Sequence, residues 1–430
     1  MTRARRTART PKTHKKPRTW PAPRVVRDRD AGFFLAAVVV SGFGTSALWL
    51  VSGVWVKDLT GSDGLAALCL VAMWAPTVAG PLLGALADRV PRKPLLIGAN
   101  LLPAALLPLL FTVDSPDRVP LLLAVLFLYG AAGVVHDAAE SALVAGAVAP
   151  SLLGDFNGLR TAVTEGMKLV APLAGAGLYA LYGGPGVALL DAITFVLAAV
   201  LYAGLRVRES ELRSAIDGRR KSPERTPASE GVRHIWAHPT LRPLILAGGT
   251  TMLFAGLNGA LTYAVIDGLG HSPAYAGALY AVQGAGSVAV GLLSGPALRR
   301  LGERRFAAYG IALTAVAAGL RAVPFDPLAL ACSAASGVGL PCVLIAALTA
   351  VQRQTPDELL GRAVATANTV VFTPNVLGLA TGAALVELVD QRPLSAVLGV
   401  VWLATAVPLF QRPASASRIA SRSPSDANPA

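Results

Sequence analysis

Charged residues are scarce in this chain: they make up 15% of its 430 residues, whereas hydrophobic residues make up 53%. A soluble domain is about 25% charged, because charge is needed to cover its surface. The scarcity excludes an intrinsically disordered chain and argues against a soluble enzyme of this size. Cysteine is rare as well. Cys69, Cys332 and Cys342 all lie in apolar runs, without the spacing of a zinc site or a disulfide framework, so we expect no bound metal.

Signatures of nucleotide chemistry are also missing. None of the seven lysines follows a glycine, which excludes the phosphate-binding loop G-x-x-x-x-G-K-[ST]. No dinucleotide-binding fingerprint, nucleophile elbow or Cys/His cluster is found either. We therefore expect no enzymatic activity and no cofactor, and any uphill work must draw on an existing ion gradient.

Long apolar runs dominate the rest of the sequence. A membrane-spanning helix needs roughly 20 mostly apolar residues, and runs of this length without alternation exclude barrel strands. The sequence predicts an all-α membrane protein with twelve transmembrane helices. The predicted spans are 33–56, 65–87, 95–113, 119–140, 161–182, 187–205, 244–266, 275–298, 307–323, 328–351, 363–388 and 394–410.

Basic residues are distributed unevenly between the two sides of these spans. One side holds 34 of the 38 Lys and Arg, including the tail 1–30 and the connection 206–242. Since cytoplasmic loops carry the excess of Lys and Arg, we expect a multi-pass protein of the cell membrane with both termini cytoplasmic. The net charge of +13 could also indicate nucleic-acid binding. The basic tail has no aromatic residue beyond Trp20, so attraction to an anionic inner leaflet explains it better.

Two similar halves are separated by the long connection. Its Ser, Pro and mixed charges are typical of a linker. Gly154 and Gly361 follow a leucine at an offset of 207 residues, and Gly175 and Gly382 match at the same offset. We expect six-helix bundles at 31–205 and 243–410, joined by the cytoplasmic linker 206–242 and followed by a cytoplasmic tail at 411–430. Repeated halves around a substrate path are typical of transporters.

The loop after the second span carries the most specific motif. Residues 84–93 read GALADRVPRK, with Gly84, Asp88, Arg89, Arg92 and Lys93 as its defining members. This resembles the loop motif of the major facilitator superfamily, G-x-L-A-D-R-x-G-R-K, except that Pro91 replaces a glycine. The resemblance implies a major facilitator fold, and a gating role for this loop.

The partner expected for Asp88 is the start of the eleventh span, near Gly361 and Arg362. A helix N-terminus carries about half a positive charge and attracts a carboxylate. The resemblance implies that Asp88 closes the cytoplasmic side in one state. The copy at 295–304 has Arg299 where Asp88 stands, so this role belongs to the N-terminal half.

Other segments resemble one branch of the superfamily. Residues 231–242 and 352–362 are similar to segments of drug-efflux and siderophore-efflux members, the branch of macrolide-efflux and enterobactin-exporter-like proteins. The fifth span is close to the antiporter motif G-x-x-x-x-G-P-x-x-G-G, through Gly166, Ala171, Pro172 and Gly175. The alternative is that these small residues only mark a helix crossing.

Ionisable residues within the fourth and fifth spans are candidates for proton coupling. They are His136, Asp137, Glu140, Glu165 and Lys168. Such residues are costly in a bilayer and often functional, but they could equally form a salt-bridge network with Arg160. We favour Glu165, because it precedes the proline-glycine stretch of a helix that the resemblance places beside the cavity. Asp191 is ambiguous, and we expect Lys57, Asp58, Glu387 and Asp390 to be solvated at outer ends.

Polar and aromatic residues at mid-depth are candidates for the substrate cavity. They are Thr45, Trp49, Asn258, Gln283 and Asn375, although helix packing explains each one individually as well. Related exporters often carry an acid after the glycine of the first span. Here Gly44 precedes Thr45, which puts proton coupling at that position in doubt.

These features together predict a secondary active transporter that acts as a monomer and exports an amphipathic, drug-like small molecule by proton antiport. The alternative is a proton-coupled importer of a small solute, which would usually show paired charges at mid-depth in both halves. A membrane sensor that transports nothing would not need the loop around Asp88.

Overall fold

The structure of the protein is a computed structural model that describes residues 27–80, 83, 90–148, 153–206 and 229–410. Within these ranges the chain is helical and contains no strand. Glycine turns and short linkers separate the helices, which we number α1 to α12 after the predicted spans.

The N-terminal half contains α1 to α6. Their bounds are Arg29–Thr60, Asp63–Trp74, Arg92–Leu106, Val119–Ala147, 153–182 and 184–203. Short 3₁₀ helices extend α2 to Ala79 and α3 to Thr112. Asp28 caps α1 and Ser62 caps α2, each side chain accepting a hydrogen bond from a main-chain N–H of the first turn.

The C-terminal half contains α7 to α12. Their bounds are Leu241–Ala260, 276–301, 303–320, Asp326–Gln354, Asp357–Leu388 and Gln391–Ala404. Short segments Thr262–Gly268 and Val407–Phe410 prolong α7 and α12. A separate short helix, Ser229–Ala237, precedes α7, so the described end of the predicted linker is helical rather than irregular.

Two of the connections consist of a single glycine. Gly183 has φ 67° between α5 and α6, and Gly302 has φ 72° between α8 and α9. Only glycine adopts this left-handed region without a steric cost, so one residue is enough to end one helix and begin the next. No longer loop separates the helices at these two positions.

The helices account for the predicted spans. Nine helices in the described residues are long and apolar enough to cross a membrane, and the glycine turns divide two of them. The shorter apolar helix 63–79 is the described part of the second span. Large apolar side chains such as Leu181, Leu292 and Val400 are more than two-thirds exposed, as a lipid-facing surface requires.

Each half has its own hydrophobic core. The core of the C-terminal half runs from Ile235 to Leu409, and two clusters fill the N-terminal half. A smaller cluster joins the halves, with Leu50, Val54 and Ala66 on one side and Tyr263 and Leu279 on the other. This mixed cluster lies at the end of the bundle where α1 ends and α2 begins.

Candidate functional site

An ion-pair network closes the end of the bundle near the mixed cluster. Lys57 at the end of α1 is only 8% exposed, and its Nζ lies 2.8 Å from Asp63 Oδ1 and 2.6 Å from Asp267 Oδ2. Asp63 begins α2, whereas Asp267 follows α7 in the other half. The expectation that Lys57 is solvated is wrong, because the two carboxylates of different halves enclose its ammonium group.

Glu387 adds a second bond between the halves at the same end. Its Oε1 accepts hydrogen bonds of 2.6 Å from Ser62 Oγ and from the main-chain N–H of Gly64. The acceptor lies at the N-terminus of α2, where free N–H groups favour a negative charge. Glu387 is therefore not simply solvated either. We call Lys57, Ser62, Asp63, Asp267 and Glu387 the latch, and this end of the bundle the latch end.

Asp58 and Asp390, by contrast, are exposed as expected. Asp58 accepts a hydrogen bond from Tyr179 Oη at 2.7 Å, and Asp390 caps α12 by accepting from the main-chain N–H of Arg392. Both contacts stay within one half, so neither residue belongs to the latch.

Trp49 marks the surface where the halves meet below the latch. Its ring packs edge-on against Tyr280 of α8, with ring centroids 4.6 Å apart. Thr45 lies one turn from Trp49 on α1, and Gln283 lies one turn from Tyr280 on α8. All four side chains are half-buried. Three of the five predicted cavity residues therefore lie around one aromatic contact between the halves.

The other two predicted cavity residues are bound within the C-terminal half. Asn375 donates a 3.0 Å hydrogen bond from Nδ2 to the main-chain oxygen of Met252 and so ties α11 to α7. Asn258 accepts from Arg321 Nη1 at 3.3 Å. Arg321 is itself buried, so these amides hold their own half together, as the packing alternative expects.

Glu140 in α4 forms a salt bridge rather than an open acidic group. Its side chain is fully buried, Oε2 lies 2.5 Å from Arg160 Nη2, and Tyr202 Oη donates to Oε1 at 3.2 Å. Asp137 is 77% exposed and lies 3.5 Å from His136. The side chains of Glu165 and Lys168 lie outside the described residues.

The three neighbours His136, Asp137 and Glu140 have their ligand atoms within 4.8 Å of one another, a spacing that a metal ion could bridge. Glu140, however, is already engaged by Arg160. The ion pair joins α4 to α5, and its members are already bound to each other. The geometry therefore favours the salt-bridge alternative for Glu140.

Asp191 is a functional candidate that the sequence did not single out. It is fully buried in α6, and its Oδ2 lies 2.9 Å from Tyr129 Oη of α4. Thr194 Oγ1 lies 3.0 Å from Oδ1, and Thr45 Oγ1 of α1 lies 2.9 Å from Tyr129 Oη. A side chain at Gly44 would overlap the Asp191 carboxylate, so glycine allows this approach. The available signal was an acid within an otherwise apolar run, three residues before a threonine.

The predicted gating loop is described only in part. Gly84, Asp88 and Arg89 lie outside the described residues. Arg92 and Lys93 begin α3, and Lys93 Nζ donates a 2.7 Å hydrogen bond to the main-chain oxygen of Leu205 after α6. Gly361 and Arg362 lie in the first turns of α11, as predicted for a helix start, but their side chains are outside the described set.

The antiporter-like segment of α5 lies at a crossing of three helices. Ala171 and Pro172 are buried. A Cβ at Gly175 would lie 3.0 Å from Ala47 Cα of α1, and one at Gly277 of α8 would lie 3.1 Å from the carbonyl oxygen of Pro172. No described atom lies within 4 Å of a Cβ at Gly166. Small residues here allow α5 to pack closely against α1 of its own half and α8 of the other half.

This crossing predicts a position-specific cost. Gly175→Val should lower the free energy of unfolding by about 1–3 kcal/mol, because the added methyl groups press on the backbone of α1. The midpoint of thermal unfolding in detergent measures this loss of stability. Gly177→Val is the matched control. Gly177 lies two residues further along the same helix, and an added Cβ there would meet open space. If both variants lost the same free energy of unfolding, close packing of α5 against α1 at Gly175 would be contradicted.

Comparison with solved structures shows the fold at low sequence identity. The nucleoside transporter NupG matches with a TM-score of 0.69 and 13% identity, over 88% of this chain and 99% of that one. A bacterial homologue of the iron transporter ferroportin, in an inward-facing state, matches with a TM-score of 0.66 and 16% identity, over 89% and 99%. The POT family transporter PepTSo matches with a TM-score of 0.68 and 12% identity, over 89% of this chain and 97% of that one.

No curated protein sequence matches this chain. The model of one family does match, over residues 33–266 and 244–429, which together cover nearly all twelve helices. The fold predicted from the apolar runs is thereby confirmed. With its paired six-helix halves, the chain belongs to the Major Facilitator Superfamily and is a secondary transporter of the membrane.

Proposed function

We propose that this transporter exports amphipathic, drug-like or secondary-metabolite compounds, driven by protons that flow inward. The observation that carries the proposal is the surface around Trp49 and Tyr280. It offers two aromatic rings, with a hydroxyl group from Thr45 and an amide from Gln283 one turn away. Apolar walls with a few polar groups suit an amphipathic compound better than a highly charged one.

Orientation follows from the distribution of basic residues. The Lys- and Arg-rich side is cytoplasmic, so both termini lie in the cytoplasm and the latch end faces outward. The latch is closed, and we assign this conformation to the inward-open state. Asp88 would close the opposite end in the other state. The protein works as a monomer in the cell membrane, with its basic segments against anionic lipid.

Import of a small acidic solute by proton symport is the second candidate. It is favoured by Arg321, a buried guanidinium group whose described hydrogen-bond partner is the neutral Asn258. A buried cation of this kind can bind an anion. Arg321 follows α9, however, and its contact is with the interior of its own half.

Expression in a host that lacks its own efflux pumps tests the proposal. Cells that produce the protein should accumulate less ethidium and grow at higher concentrations of lipophilic cations and macrolides than cells with an empty vector. A protonophore should abolish the difference. Asp88→Asn should be produced normally but transport slowly. Greater accumulation of a compound in producing cells, instead of less, would favour import.

A further inference from the structure

We infer that the carboxyl group of Asp191 binds and releases the coupled proton, through the hydroxyl groups of Tyr129 and Thr45. The inference rests on the proposed proton antiport and names its proton-binding residue. Asp191 is fully buried inside α6, whereas Thr45 is half-buried on the face of α1 that carries Trp49. The three side chains form a continuous hydrogen-bonded chain, with 2.9 Å at each step.

Hydrogen atoms are available for every bond of this chain when Asp191 is ionised. Tyr129 then donates to Oδ2, Thr45 donates to Tyr129, and Thr194 donates to Oδ1. The carboxylate accepts two hydrogen bonds from neutral groups. Each hydroxyl group has a single hydrogen to donate, and each is used once.

The same distances serve the protonated state with the directions reversed. Asp191 then donates from Oδ2 to Tyr129, and Tyr129 donates to Thr45. Thr194 turns its hydrogen to the main-chain oxygen of Asp191, which lies 2.7 Å away. The proton arrives as one hydrogen passes along each bond: a hydrated proton (hydronium) gives a proton to Thr45 and becomes water, Thr45 gives its own to Tyr129, and Tyr129 gives its own to the carboxylate.

Within the described part of the chain, no opposite charge contacts Asp191 and fixes it in one state. α1 faces it with Gly44 and Thr45, α4 faces it with Tyr129, and Thr194 comes from its own helix. Leu107 at the end of α3 packs in the same cluster as Ala188 and Ala192 of α6. Among the described residues, Tyr129 is the titratable group in contact with Asp191, and no Lys, Arg or His forms an ion pair with it.

Glu140 provides the contrast within the same half. It is as deeply buried as Asp191, but Arg160 contacts it directly. The Arg160 guanidinium group balances the charge of Glu140 directly, whereas the described contacts of Asp191 are with hydroxyl groups. Of these two buried acids, Asp191 is therefore the one suited to exchange a proton.

The position of Thr45 links this proton to transport. Thr45 lies one turn from Trp49, at the aromatic contact between the halves. Movement of the halves changes whether water or substrate reaches the Thr45 hydroxyl group. The proton would enter or leave from the same surface that the substrate uses, as antiport of protons and substrate requires.

Infrared difference spectroscopy of the full-length protein in lipid tests the proton-binding step. A change of pH should produce a carbonyl band of a protonated, hydrogen-bonded carboxylic acid. The band should be lost in Asp191→Asn and displaced in Tyr129→Phe, which keeps the ring. Asp390→Asn is the control, because that residue is exposed at the start of α12, and it should leave the band unchanged. A band that persists in Asp191→Asn would overturn the inference.

Transport by the same variants in proteoliposomes tests the coupling. Asp191→Asn should lose uphill ethidium transport under a proton gradient but retain ethidium exchange without a gradient. Wild-type uphill transport by Asp191→Asn would overturn the inference. If Asp191→Asn does not fold, loss of uphill transport in Tyr129→Phe supports the inference, and normal coupling there contradicts it. If the wild-type protein moves no compound, the proposed function fails, and the infrared titration still decides whether Asp191 binds a proton.

Discussion

Replacing Lys57 by methionine should open the latch end of the transporter. Methionine keeps the length of the apolar stem but leaves Asp63 and Asp267 without their shared cation. Hydrogen bonds to charged groups contribute about 1.5–3 kcal/mol. A loss of about 2 kcal/mol from the latch-closed state shifts the ratio of closed to open molecules about 30-fold.

A cysteine in place of Ala383 would report this opening. Ala383 is 4% exposed, and its main-chain oxygen faces Gly64 across the two halves. In a background without the three native cysteines, a membrane-impermeant maleimide should label the reporter faster from outside when Lys57 is replaced. Arg118→Met is the matched control, since Arg118 is exposed and bonds only to Thr112 of its own half in the described contacts. Unchanged labelling in Lys57→Met would show that the ion pairs of Lys57 do not keep the latch end closed.

Replacing Arg160 by methionine should cost the protein about 3 kcal/mol of stability, because a buried carboxylate loses its cation. Glu140 is 1% exposed at its side chain, whereas Arg160 is one-third exposed, so solvent reduces the effect somewhat. The midpoint of thermal unfolding in detergent should fall accordingly. Arg233→Met is the control: Arg233 is 81% exposed, and its contact with Glu230 spans 3.9 Å, so its loss should change little.

The double variant Arg160→Met/Glu140→Gln separates a structural role from a coupling role. Gln removes the uncompensated charge and should recover most of the lost stability, as expected when both members of a buried pair are replaced. The double variant should also keep uphill transport. A stable double variant that has lost proton coupling would identify Glu140 as the coupling acid, against the assignment to Asp191.

The sequence predicted the helices well, because the length and hydropathy of a span are local properties. Span 119–140 begins where α4 begins, and span 363–388 ends where α11 ends. The glycine turns were less visible. Gly183 and Gly302 lie between predicted spans, but only the backbone shows that a single left-handed glycine forms each connection.

The latch could not be predicted from single positions. Lys57 and Glu387 stand near helix ends, where most charges are solvated, and each has a partner in the other half of the molecule. Burial arises only when the halves meet. The same limit applies to Asp191, which contacts a tyrosine 62 residues away along the chain. Glu165 stays a prediction, and Glu165→Gln belongs beside Asp191→Asn in any comparison of uphill transport.

Proton-driven transport by the purified protein tests the central claim most directly. Proteoliposomes should be loaded with a pH-sensitive dye and given a pH gradient, and ethidium movement should be followed together with the internal pH. We expect ethidium to accumulate uphill only while protons flow the opposite way, and addition of ethidium alone to move protons in liposomes without a gradient. Proton antiport would be contradicted if ethidium and protons moved in the same direction, or if ethidium movement did not depend on the pH gradient.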